Sequence, residues 1–404
     1  MITYDMTRIT AIILSSLLAV TSARADILDN AACAIAAASP EVANSTLGGQ
    51  SEVEGILADN RLPDPAVELE HLWGNKGAGN KLTVNVSQEF EFPTVYSRRR
   101  TAASTTSRAL EFLQRSTFMD KALEVKELLI EYIHTRNCLS IYGRILDNID
   151  SLASATDRAI SGGELMRLDA SKLRIERIGV EGQIAILDGR LAEITSTLSG
   201  IAGGADVTEV LSTLPGDIPF EQLLTKDHYQ RQAIEADPRI DYNSTMAEAA
   251  LARSRVIDAS RLPSFSLGYI FNREGGADFQ GLSAGISLPI YSMEHQRKAV
   301  AMERENLLAQ NDMLTISSQT MVAGTYARAE RQRDLVMKYR TVLADASYPD
   351  LLDRAYASRT ITLLTYLQET RYFTEAHIAL FDAERDYALS LARLNRYTLL
   401  PHEL

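Results

Sequence analysis

Hydrophobic residues along this chain follow two different periods, and proline marks where one gives way to the other. The eleven prolines leave three long proline-free intervals, Thr94 to Leu214, Ile290 to Tyr348 and Asp350 to Leu400. Proline removes a backbone donor and clashes inside a helix, so these intervals are where long helices can form. In the first, Phe118, Ala122, Val125, Leu129, Tyr132, Leu139, Tyr142, Leu146 and Ile149 recur mostly at three- and four-residue steps, interrupted by Arg136. In the last, Phe373, Ala376, Leu380, Ala383, Tyr387, Leu391 and Leu394 do the same. That spacing lays an apolar stripe along a helix and lies close to coiled-coil periodicity. A helix from about Ser97 to about Leu152 would run on the order of 80 Å at 1.5 Å per residue.

Between the prolines the period shortens to two. Val67, Leu69, His71 and Trp73 alternate with Glu68, Glu70 and Leu72. After a Gly/Asn-rich turn, Leu82, Val84, Val86, Gln88, Phe90 and Phe92 alternate with Thr83, Asn85, Ser87, Glu89 and Glu91. Later, Phe265, Leu267, Tyr269 and Phe271 oppose Ser264, Ser266 and Gly268. Past Gly275-Gly276, Leu282, Ala284, Ile286 and Leu288 oppose Ser283, Gly285 and Ser287. Strict alternation predicts strands with one apolar and one polar face, here two β-hairpins at about 65–93 and 263–290.

The two hairpins belong to a tandem repeat. Arg61-Leu62-Pro63 returns as Arg261-Leu262-Pro263, Pro93 as Pro289, Pro40 as Pro238, and Gly163-Glu164-Leu165 stands where Arg359-Thr360-Ile361 does, at offsets of 196 to 200. Landmarks held at a near-constant offset indicate duplication. The expected domains are a first repeat over 26–205, a linker over 206–230 containing Pro215 and Pro219, and a second repeat over 231–404. Each repeat reads helix, strand, strand, long helix, long helix.

Four strands with one apolar face pose a question of solvent. Strands of about ten residues suit a tilted membrane crossing, which needs roughly 9–11. In lipid an open sheet edge cannot exist, and membrane barrels begin at about eight strands, so one chain is too few. Three chains would pool twelve strands. The rival reading is a soluble helical protein with a small half-buried sheet.

Composition narrows the choice. The formal net charge of −12 argues against nucleic acid, whose binders need a basic stripe. No run of eighteen apolar residues follows the first segment, so helical membrane spans are not expected. Arg8, the mostly apolar stretch Ile9 to Val20 and Ala23-Arg24-Ala25 have the order of a secretory signal, which assigns residues 1–25 to targeting. No cysteine directly follows the expected cleavage point, so no lipid anchor is expected. Cys33 and Cys138 permit one disulfide but read more simply as packed free thiols. No Cys-x-x-Cys, His-x-x-x-His, lysine-bearing phosphate loop or Gly-x-Ser-x-Gly is present, so neither an enzyme, a cofactor nor a dedicated metal site is expected.

The segments "RLPDPAVELEHLWG", "SRLPSFSLGYIF" and "SLPIYS" that flank the strands resemble the TolC-like outer-membrane efflux proteins. So do "SGGELMRLDASKLR" and "YASRTITLLTYLQETR" at the helical turns. The resemblance covers nearly the whole chain past residue 25. It lies nearest the outer-membrane components of heavy-metal cation efflux systems, through Leu62-Pro63-Asp64-Pro65. It implies a mainly α fold with a membrane β-barrel part: a homotrimer whose twelve-stranded outer-membrane barrel sits on a long periplasmic α-helical tube. It also implies a periplasmic adaptor and an inner-membrane pump as partners. Where the family usually has glycine at the second-half turn, this chain has Ser358-Arg359.

Several residues become candidates. Glu68, Glu70, Glu89 and Glu91 fall on the polar strand face, and a trimer would gather twelve such carboxylates, enough to favour cations. The bland alternative is that they only solvate that face. By the resemblance, the turns at Arg158 to Leu165 and Ala346 to Ile361 meet the adaptor, through Gly162, Gly163, Leu165, Ser358, Thr360 and Ile361. Asp345, Asp350 and Asp353 lie near the second turn as candidates for a gate ring, against the simpler reading of solvated surface carboxylates. The functions in contention are an exit duct for small solutes such as metal cations or drugs, an exit duct for a secreted protein, and a periplasmic coiled-coil scaffold without a barrel.

Overall fold

The computed structural model describes residues 27–58, 60–75, 77, 79–159, 164–289, 293–344 and 348–400, with side chains at 157–159 and 164–166 excepted. The expected targeting segment, Gly162, Gly163, Asp345 and the side chain of Leu165 lie outside the described residues. In chain order the elements are α1 Ile27–Ala37, α2 Pro40–Ala58, β1 Ala66–Trp73, β2 Asn80–Phe90, α3 Pro93–Ala159, α4 Glu164–Ile201, α5 Thr208–Ser212 and α6 Lys226–Glu235. They continue with α7 Pro238–Ala259, β3 Ser264–Glu274, β4 Ala277–Ser287, α8 Glu294–Val342, α9 Tyr348–Ala357, α10 Leu363–Leu394 and a short 3-10 turn at Arg396–Thr398. The described residues are thus mostly helical with one small antiparallel sheet.

Prolines stand at helix starts, where a missing N–H costs nothing. Pro40, Pro93 and Pro238 each open a helix. Asp237 caps α7, its Oδ1 accepting from the Arg239 backbone N–H at 3.0 Å. Thr225 and Thr362 cap α6 and α10 in the same way. At the end of α4, Gly203 and Gly204 take positive φ angles of 70° and 87°. The Gly204 N–H donates to the Ser199 carbonyl at 2.8 Å, closing the helix.

The described residues divide into two compact units, and each unit draws on both halves of the chain. Residues 27–44, 117–236 and 318–400 form a helical unit; 45–116 and 237–317 form a sheet-bearing unit.

The helical unit buries the stripes read from the sequence. Leu28, Ile35, Leu129, Ile133, Ile194 and Leu198 share one cluster across α1, α3 and α4. Phe118, Met119, Tyr229, Val322, Val336, Tyr387 and Leu391 share another across α3, α6, α8 and α10. Ile149, Leu173, Val180 and Leu363 form a third. The expected linker is packed rather than free: Leu211, Leu214 and Ile218 join the first cluster and Leu223 the second. Arg136, which interrupts the α3 stripe, donates to the carbonyls of Pro215 and, at 3.0 Å, Gly216. The break in periodicity is therefore the anchor of that segment. Lys126 is 4% exposed and lies 2.5 Å from Asp29. A buried ammonium without such a partner would be strongly destabilising. Cys33 and Cys138 are free thiols in this core, and burial pushes each up to about 11, which leaves them unreactive.

In the sheet-bearing unit the helices pack through small residues, Ala102, Ala103 and Ala109 in α3 and Ala247, Ala249 and Ala250 in α7. Ion pairs Arg108–Glu248 at 2.7 Å and Arg253–Glu303 at 2.6 Å tie α3 to α7 and α7 to α8. The sheet has the order β1-β2-β3-β4, antiparallel throughout. The two hairpins are far apart in sequence and pair through β2 and β3, with Val84 opposite Phe271 and Val86 opposite Tyr269. Gly275 and Gly276 form the two-residue β3–β4 turn with φ of 58° and 88°, the left-handed conformation such hairpins demand.

Candidate membrane-facing sheet and helical turns

The pairing register sorts the strand residues onto two faces. Val67, Leu69, Leu82, Val84, Val86, Phe265, Leu267, Tyr269, Phe271, Leu282, Ala284 and Ile286 lie on one. No described residue covers much of it: Leu282 is 91% exposed, Val67 70% and Ile286 67%. Burying a large aliphatic side chain stabilises by about 1.5–3 kcal/mol, so leaving this face in water forgoes on the order of 10 kcal/mol. A domain's whole stability is about 5–15 kcal/mol. Water is the wrong solvent for this surface. The outer edges of β1 and β4 have no strand partner among the described residues, so the sheet also carries two open rows of backbone donors and acceptors.

The opposite face is small and polar. Glu68 lies opposite Asn85 and Glu70 opposite Thr83. Glu89 lies opposite Ser266 and accepts from the Ser264 hydroxyl at 3.1 Å. Gly268 is required here, because a Cβ would sit 2.8 Å from the Val86 carbonyl oxygen. Leu72, Ile270 and Phe279 interrupt the polarity of this face. The sheet therefore brings Glu68, Glu70 and Glu89 to one face but not Glu91. That residue lies past the end of β2, where its carboxylate accepts from both guanidinium nitrogens of Arg99, one at 2.8 Å. Alternation alone extends one residue pair too far, because Pro93 has already turned the chain into α3.

Aromatic residues gather at the strand ends, a signal that side-chain alternation conceals. Trp73, 78% exposed, closes β1 with its ring edge-on to His71 at 4.8 Å, and Phe92 lies 6.5 Å from Phe265 at the other end.

The second helical turn is described in full from residue 348. Among the described residues, Arg359 alone combines a side chain with a positive φ, 58°. Its N–H donates to the Tyr356 carbonyl and the Thr360 N–H to the Ala355 carbonyl, both at 2.9 Å. That is the bonding of a glycine-terminated helix, so Arg359 stands where glycine is the unstrained choice. Ser358 and Thr360 are exposed and share a hydroxyl hydrogen bond at 2.9 Å, while Ile361 is half-buried. Asp350 and Asp353 are not equivalent. Both are exposed, but Asp353 accepts from the Tyr366 hydroxyl at 2.7 Å, and that hydroxyl accepts from Asn148 at 2.7 Å. Burial pushes the Tyr366 phenol up, so it stays a neutral donor. Sequence reasoning had no signal for this link between α3, α9 and α10.

Among the described residues, no group of three or more His, Cys, Asp or Glu is gathered to hold a metal ion. No described helix is long and apolar enough to cross a membrane.

No protein-family model and no curated protein sequence matches this chain. Its fold does match solved structures. A membrane protein from Pseudomonas aeruginosa superposes with a TM-score of 0.71 at 16% identity, covering 92% of this chain and 93% of the other. CusC, from work on its folding and transmembrane channel formation, gives 0.69 at 14% identity over 94% and 95%. The open-state outer-membrane channel MtrE of Neisseria gonorrhoeae gives 0.70 at 15% identity over 95% and 94%. This chain shares, over nearly its whole length and theirs, the fold of outer-membrane channel proteins.

Proposed function

We propose that the protein is the outer-membrane channel subunit of a tripartite efflux system, a passive exit duct for small solutes. The observation that carries this reading is the bare apolar face of a sheet with two open edges. Strands of eleven residues, tilted as in membrane barrels, stand roughly 25 Å tall, which matches the apolar band of such barrels. Lipid supplies the solvent the apolar face lacks, and two further copies supply the strands the edges lack. Three chains of four strands each then close a twelve-stranded barrel with its polar face inward. The shared fold with outer-membrane channels supports the same reading.

On this reading Glu68, Glu70 and Glu89 line the barrel and favour cations, consistent with export of heavy-metal cations or cationic drugs. Glu91 adds little, since Arg99 neutralises it. The turn at Ser358, Thr360 and Ile361, with Gly162, Gly163 and Leu165 at its counterpart, docks a periplasmic adaptor that links the duct to an inner-membrane pump. Asp350 and Asp345 remain candidates for a gate ring, and Asp353 serves instead to hold Tyr366. A protein-secretion duct would use the same architecture. A scaffold without a barrel would leave the apolar face in water, which the energetics above disfavour.

Planar-bilayer conductance of the detergent-extracted oligomer tests the proposal. Discrete steps from a trimer, with cation preference lost in a Glu68→Gln/Glu70→Gln/Glu89→Gln variant, are expected. A water-soluble monomer that never inserts would end the membrane reading.

A further inference from the structure

The cations near the sheet are not all neutralised: Arg99 pairs with Glu91 past the end of β2, but two arginines at that same end do not find such a partner. At the hairpin end, Lys81 pairs with Glu274 at 3.5 Å and Arg273 with Asp278 at 2.9 Å or less, so each charge is neutralised within the chain. At the opposite end, where the strands begin, Arg261 has no ion-pair partner among the described residues. Arg61 has only a 3.6 Å contact with Asp64, with both side chains about three-quarters exposed. Such a contact contributes next to nothing.

These two arginines occupy equivalent places. Arg61-Leu62-Pro63 leads into β1 and Arg261-Leu262-Pro263 into β3. Because β1 and β3 are both antiparallel to β2, both tripeptides approach the sheet from the same end. Two strand spacings separate their strands, about 10 Å, close to the width of one phospholipid headgroup. In each, an exposed leucine follows the arginine, Leu62 at 53% and Leu262 at 40%. An apolar residue with an unneutralised guanidinium just beyond it, at the margin of an apolar band, is the arrangement by which arginine keeps its head at a membrane surface.

We propose that Arg61 and Arg261 form a lipid-headgroup girdle in which each guanidinium binds the phosphodiester of an anionic phospholipid while the adjacent leucine enters the acyl region. The proposal rests on the membrane reading above and adds its orientation: the Arg-Leu-Pro end faces the phospholipid leaflet. The planar guanidinium fork suits phosphate oxygens, and among the described residues the loose contact with Asp64 is the one ion pair that either side chain makes. Closed as a trimer, the barrel would carry six such sites, one at every second strand.

The test is flotation of the full-length oligomer with vesicles of phosphatidylcholine alone or doped with phosphatidylglycerol. Wild type is expected to prefer the doped vesicles, and Arg61→Gln/Arg261→Gln to lose about fivefold of that preference per arginine. Arg61→Lys/Arg261→Lys, which keeps the charge, should retain most of it. Binding of both variants to phosphatidylcholine should match wild type, which separates a headgroup role from misfolding. If the glutamine variant fails to assemble, wild type alone decides, since rising salt must erode the preference. A preference unchanged by salt, or by the glutamine pair, overturns the girdle while leaving the membrane reading intact. Wild type that floats with neither vesicle overturns both.

Discussion

The helical unit and the sheet use the same apolar residue types under opposite rules. Leu129, Ile133 and Leu198 are fully or almost fully buried at helical spacing, while Val67, Leu267 and Leu282 stand open at strand spacing. A protein designed only for water would bury both sets. On the proposed reading the chain meets two solvents, and the sheet, unlike the helical core, is finished by lipid and by further copies.

The sharpest way to break that comparison is to truncate one residue of each kind. Leu129→Ala should cost about 2–5 kcal/mol of unfolding stability, since it opens a cavity in a close-packed cluster. Leu282→Ala should cost less than about 0.5 kcal/mol in the same detergent assay, because Leu282 touches solvent and not a core. Leu282→Arg should then cost about 2–4 kcal/mol of insertion, since residue 282 lies at the middle of β4. Equal penalties for the two alanine variants, by denaturant titration, would mean that the sheet is covered as an ordinary core is.

Next in size is the link through Tyr366. Tyr366→Phe removes both the bond from Asn148 and the bond to Asp353, each contributing about 0.5–1.5 kcal/mol, and should cost about 1–3 kcal/mol in all. Asp350→Asn, at an exposed position nearby, should leave stability within about 0.5 kcal/mol. Melting temperatures of the two variants check the contrast. Similar losses would show that Asp353 and Asp350 play the same part.

Arg359→Gly should act in the other direction. A residue with a Cβ in the left-handed region costs about 1–2 kcal/mol, offset in part by the attraction of a cation to a helix C-terminus, about 0.3–1 kcal/mol. The glycine variant should therefore be stabilised by up to about 1 kcal/mol in a melting experiment. A destabilised variant would mean that the Arg359 side chain makes contacts that outweigh the backbone strain.

These contrasts also show what the sequence could and could not reveal. Periodicity located the stripes at Leu129 and Tyr387 and the alternation at Val84 and Leu282, because period alone distinguishes a helix face from a strand face. It also separated Glu68, Glu70 and Glu89 from the apolar set, since the pairing register preserves side-chain parity. It did not foresee that Glu91 leaves the strand for Arg99, that Arg136 holds the 206–230 segment, or that Asp353 serves Tyr366. Each of those depends on a partner beyond the residue's own stretch of periodic pattern, and such a partner leaves no mark on that pattern.

The smallest expected effect concerns pH and again sets the interior of the helical unit apart. His134 is 8% exposed, and its Nε2 lies 2.9 Å from Asp382 Oδ1 and 3.6 Å from Cys138 Sγ. Burial, with Arg385 beside it, holds the imidazole below its usual range even though Asp382 and Glu131 pull the other way. A histidine depressed in the folded state binds its proton more readily when unfolded. Its contribution to stability is therefore complete above the ordinary histidine range near 6.5 and is lost as pH falls through it. The unfolding midpoint should drop between about pH 7 and 5, and His134→Gln should flatten part of that slope. Some slope should survive through His377, which burial and Arg144 also depress. A His134→Gln profile parallel to wild type would show that Asp382 offsets the burial of His134 in full, and that this charge, like Lys126 beside Asp29, is compensated within the core.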